Sequence, residues 1–177
     1  MTETFGFFKK KFNEKLIFEW INLIGSYSEK DTDLIVDAIE KGNDTLLSFK
    51  NTPLKVLWED ELVCCVIACT VYHLQKNDDY KNFNFNHLKK TIPNIMINKF
   101  QFGNKVDDIM GEYTNLLELS KNSKGDVFYL PSVNLIQLIS RGNPSENNNN
   151  KTPNYLTITI VKDLLTMMTN NSLQFLR

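Results

Sequence analysis

The chain has 177 residues, of which 42% are hydrophobic, 11% aromatic and 23% charged: enough apolar material for one packed domain, and too much for a disordered chain. A net charge of −1 and a pI near 6.1 exclude a general electrostatic pull toward nucleic acid or anionic lipid. Arg141 and Arg177 are the only arginines, and the scarcity of their planar bidentate fork argues further against a sequence-reading nucleic-acid binder.

The first element predicted is an amphipathic helix over Phe5–Ser26. Phe5, Phe8, Phe12, Leu16, Trp20 and Leu23 recur at steps of three or four, and Gly25 is the natural stop. Ser28 or Asp31 can then cap a short helix carrying Leu34, Ile35, Ala38 and Ile39, closed by Gly42. Thr52-Pro53 is a cap followed by proline at the first helical position, and from it a helix is predicted to about Asn77. Beyond lies a polar stretch with one short helix around Asn86–Thr91, which Pro93 is expected to break unless it begins the next.

The clearest periodicity is the face of Val106, Ile109, Met110, Tyr113, Leu116 and Leu117, with Asn104 and Asp107 spaced as a capping pair. Val133, Ile136 and Ile139 mark a further short helix that Gly142 ends. "NPSENNNNKTP" reads as a flexible linker, and Thr152-Pro153 repeats the helix-start signal. The segment "YLTITIV" alternates like a β-branched strand, yet Leu164, Leu165 and Met168 continue it at helical spacing. Helix is the better assignment, because the other strand-like run, "DVFYL", is short and a two-stranded sheet is marginal alone.

The fold class expected is therefore all-α: a single compact bundle of about six helices around a buried central helix at residues 53–77. Residues 1–142 would form the helical core, 143–153 an Asn-rich linker, and 154–177 a last helix on the same domain.

The central helix contains the stretch of greatest chemical interest, "ELVCCVIACTVYHL", with Glu61, Cys65, Cys69 and His73 four residues apart. Cys65 and His73 would stand about 12 Å apart along the helix axis, too far for one ion with bonds of about 2.0–2.3 Å. A zinc site could use at most Cys69, His73, His87 and a carboxylate, and neither a C-x-x-C pair nor an H-E-x-x-H pattern is present. A Cys69 nucleophile with His73 as base is the other chemical reading. A reactive thiol, however, needs an electropositive, partly exposed position, and Cys69 lies among Val63, Val66, Ile67, Ala68 and Val71. Free cysteine packs as a small hydrophobe, so the stripe reads best as core.

Other features point to surfaces. "FGFFKKKF" sets Phe5, Phe7, Phe8 and Phe12 around Lys9, Lys10 and Lys11, a candidate interaction surface for a partner or a membrane face, although Glu14 and Glu19 dilute its basic character. "YKNFNFNHLKK" interleaves aromatics with lysine and could stack on single-stranded bases, which the acidic pI disfavours. The seven glycines are scattered, without a G-x-G-x-x-G, Walker or G-x-S-x-G pattern. The longest uncharged run, Leu62–Gln75, has 14 residues where a transmembrane helix needs about 20. Charged residues interrupt any apolar leader after Lys11, so the chain is expected in the reducing cytoplasm, in keeping with an odd count of three cysteines.

The function expected is a non-catalytic intracellular module, a scaffold or adaptor that binds another protein. No cofactor is called for. The alternatives are a Cys/His enzyme or metal-binding protein at Cys69, His73 and His87, and a peripheral membrane protein using the N-terminal aromatic-basic helix. The ending "SLQFLR", still apolar and helical, is equally in keeping with an N-terminal fragment of a longer chain.

Overall fold

The computed structural model describes residues 12–40, 53–80, 83–141 and 155–176. They form six α-helices: α1 (Glu14–Glu40), α2 (Pro53–Lys76), α3 (Phe85–Phe100), α4 (Val106–Lys124), α5 (Tyr129–Arg141) and α6 (Tyr155–Leu176). A single 3₁₀ turn, Asp78–Tyr80, follows α2. The protein is an all-α bundle, and α2 is its axis. That helix packs against α1, α4, α5 and α6, while α3 lies across α1 and α4. Every residue from Leu62 to Tyr72 is buried. That span makes about three helical turns, so α2 is covered on all sides and not along one stripe.

Several polar groups on this axis are bonded within the fold. Thr70 Oγ1 donates to the Val66 carbonyl (2.8 Å), and Trp58 Nε1 donates to the Leu135 carbonyl (2.9 Å), joining α2 to α5. At its far end Lys76 pairs with Glu118 of α4 at 2.8 Å, and the Tyr72 hydroxyl donates to the same carboxylate at 3.4 Å. Both Lys76 and Glu118 are about half exposed, so this pair positions more than it stabilises.

Several boundaries differ from the sequence reading, each for a physical reason. Gly25 does not end the first helix. A helical glycine costs only about 1 kcal/mol, and the buried row Ile17, Trp20, Ile21, Ile24, Ser28 and Thr32 continues through it. Ser28 caps nothing: it sits inside α1 and donates to the Glu59 carbonyl of α2 at 3.3 Å. The side chains of Asp31, Leu34, Ile35, Ala38 and Ile39 lie outside the described residues, as does Thr52.

Pro93 neither breaks nor begins a helix. It is buried within α3, where Leu88, Ile92, Ile95 and Met96 form a continuous apolar row that offsets the lost backbone hydrogen bond. The start of α3 is fixed by Asn84, whose Oδ1 accepts from the backbone N–H groups of Asn86 and His87. Its end is a left-handed turn at Gln101 (φ 60°), after which the Phe102 N–H returns to the Met96 carbonyl at 3.2 Å.

The Asn104–Asp107 capping pair does not form. Lys105 occupies the cap of α4 without a side-chain hydrogen bond, and Asp107 and Asp108 meet the helix dipole in the first turn. Helix α5 starts earlier than its apolar spacing indicates. Asp126 Oδ1 accepts from the Phe128 N–H (3.1 Å), and Ser120 Oγ accepts from the Leu130 N–H (3.1 Å). These bonds turn "DVFYL" into a helix entry. Lys162 of α6 holds the same Asp126 at 2.8 Å.

The strand-like "YLTITIV" is helical. Ile158, Val161, Leu164, Leu165, Met168, Thr169, Ser172 and Leu176 form its buried face, and burial outweighs β-branched preference. Residues 143–153, the expected linker, lie outside the described residues. No helix among the described residues is long and apolar enough to cross a membrane.

Leu62 is fully buried in α2, whereas Leu119 on α4 is 57% exposed. Leu62→Ala should therefore lower stability by about 2–5 kcal/mol, and Leu119→Ala by under about 0.5 kcal/mol, in denaturant unfolding.

Candidate functional site

The chemistry-bearing side chains of α2 divide into two groups by where the axis emerges from its cover. Cys64, Cys65 and Cys69 are all free and fully buried. Burial pushes the Cys64 and Cys65 thiols well above their ordinary range, and the Glu61 and Asp60 carboxylates add to the shift at Cys64. A thiol held protonated in this way is neither a nucleophile nor a ready ligand at neutral pH.

His73 is half-buried. Its Nδ1 lies 2.8 Å from the Cys69 carbonyl oxygen one turn back, and its ring stacks on Phe128 at 5.5 Å. The imidazole is thus directed to the backbone of Cys69 and to an aromatic face. His87 stands exposed in the first turn of α3. Among the described residues no three His, Cys, Asp or Glu side chains gather so as to hold a metal ion.

Of the aromatic-basic N-terminal surface, Phe5, Phe7, Phe8, Lys9, Lys10 and Lys11 lie outside the described residues. Phe12 is withdrawn from it, because it is buried edge-on against Phe83 at 4.7 Å. It anchors the chain where α1 begins, beside the turn that follows α2.

The open feature lies toward the other end of α2. A cleft of about 350 Å³ is walled by Trp58, Asp60, Glu61 and Cys64 of α2, by Val106 and Ile109 of α4, and by Leu138 of α5. Phe102, Gly103 and Lys105 of the α3–α4 connection complete its rim. The left-handed turn at Gln101 ends α3 just before Phe102, and so delivers this rim to the cleft.

One cysteine of the stretch, Cys64, reaches a cavity, but no imidazole lines it. Of the row Glu61, Cys65, Cys69 and His73, spaced by four, only Glu61 lines this cavity. Glu61 and Cys64, spaced by three, share the cleft wall. Sequence spacing within one helix carried no signal for this cavity, since its other walls come from three elements distant in the chain.

Electrostatically the cleft is acidic on an apolar ground. Desolvation raises both Asp60 and Glu61 above the usual carboxylate range; at Glu61 the Tyr113 hydroxyl opposes the shift, and like-charge repulsion from Glu112 and Asp60 adds to it. Below Glu61 the fully buried Tyr113 hydroxyl faces its carboxylate and Asn134, yet no hydrogen bond of regular geometry closes on the phenol oxygen. Comparison with protein-family models, curated proteins and solved structures returned no match, so no relative's chemistry bears on the cleft.

Two measurements check this geometry. All three thiols should resist a disulfide reagent in the native protein at neutral pH and react together only on unfolding. Rapid labelling of one thiol in folded protein would show an open path to it. For Glu61 the sign follows from its raised folded-state pKa. The folded protein holds the proton more tightly, so stability falls as pH rises from the unfolded value near 4.5 through the folded one. Glu61→Gln should flatten that part of the stability–pH curve, relieving the cost of the buried charge at pH 7.

Proposed function

We propose that this protein is a non-catalytic helical module that binds another protein through the cleft between α2, α4 and α5. The observation that supports this reading most directly is the composition of the cleft. Trp58, Phe102, Val106, Ile109 and Leu138 present apolar surface around an opening, and the polar groups are confined to one wall and the rim. Interfaces are built in this way, with a desolvated apolar centre and a charged margin.

Among the described residues that line it, the cleft holds neither a nucleophile with its base nor a histidine, and burial raises the Cys64 thiol in its wall above its ordinary range. A volume near 350 Å³ is at the lower end for a ligand site and admits one or two anchoring side chains of a partner. The reading extends to a scaffold or adaptor acting in the cytoplasm, where free cysteines such as these three stay reduced.

Affinity capture followed by mass spectrometry tests the proposal when run with two variants checked for folding by circular dichroism. Ile109→Asn, in the cleft, should release the proteins that the natural chain retains. Leu119→Asn, on an exposed part of α4, should leave them bound. Equal retention by all three chains would place binding elsewhere and overturn the proposal.

A further inference from the structure

Resting on that docking reading, we infer that the partner segment seated in this cleft presents a lysine or arginine beside its apolar anchor, the cation meeting Asp60 and Glu61. Three observations converge on this. Asp60 and Glu61 both line the cleft, and neither forms an ion pair among the described residues. Among the described residues Lys105 is the one cation of the cleft lining, and it is exposed at the rim. Against it stand two wall carboxylates, with Glu112 acting on Glu61 from α4.

The third observation is Tyr113. Its buried hydroxyl is directed to the Glu61 carboxylate and to Asn134, so the group the fold sets beneath Glu61 is a neutral phenol, and no cation among the described residues ion-pairs with the acidic wall. Such a wall disfavours an acidic segment, tolerates a neutral one and rewards a cation, because charges interact more strongly where water is partly excluded. The apolar residues opposite supply the anchor's contact surface.

The test uses three capped hexapeptides, Ala-Leu-Leu-Xaa-Leu-Ala, with lysine, glutamine or glutamate at Xaa. Each is titrated into the isotope-labelled full chain by NMR at low salt. The lysine peptide should bind roughly five-fold tighter than the glutamine peptide, and the glutamate peptide weakest, with shifts centred on Phe102–Ile109. Asp60→Asn should reduce the lysine preference, added salt should erode it, and Lys105→Ala should increase it. Equal binding of the three peptides would overturn the charge rule while leaving the cleft a docking site. Tighter glutamate binding would reverse the rule. Failure of all three to move cleft resonances would remove both the rule and the docking reading beneath it.

Discussion

The structure depends on one constraint: α2 carries apolar side chains almost all round, so it needs cover on all sides. From Leu62 to Tyr72 every residue is buried, none more than 5% exposed. One neighbouring helix can shield only part of such a cylinder, and here α1, α4, α5 and α6 surround it. The amphipathic character of those four helices follows from their task, each burying one face on the axis and offering the other to water. Cysteine and alanine suit the axis because they are small and let neighbouring helices approach closely. The burial that lets the three cysteines pack as small hydrophobes also pushes the Cys64 and Cys65 thiols above their ordinary range.

Where this cover ends, the cleft begins. Beyond the buried span toward the start of α2, Asp60 and Glu61 become partly exposed and line a cavity. The polar features of the two ends of α2 differ. At the C-terminal end Lys76, Glu118 and Tyr72 close on one another, and His73 stacks on Phe128, so the charges there are paired within the fold. At the other end the carboxylates stay without a cationic partner among the described residues, over a phenol that lacks a regular hydrogen bond.

Much of the fold could be read from the chain because burial leaves a periodic trace. The central helix, the Val106–Leu117 face and the helical state of "YLTITIV" all follow from spacing, the last against local β-branched preference. Boundaries were less legible, since they turn on contacts across the chain. Gly25 and Pro93 are stop signals in isolation, and both are overridden by apolar rows that continue past them. The entry to α5 depends on Ser120 and Asp126, which no hydrophobic pattern reveals. The cleft was the least legible of all. Its walls come from α2, the α3–α4 connection, α4 and α5, and Glu61 attracts notice in the sequence as one of a row whose other members do not line it.

Native-state hydrogen exchange, resolved by residue, addresses the central claim most directly. If α2 is the enclosed axis, the amides of Leu62–Tyr72 should be the slowest in the protein, exchanging only through global unfolding and with its full denaturant dependence. Exchange of those amides through local opening, as fast as in the exposed turns of α3, would contradict the account.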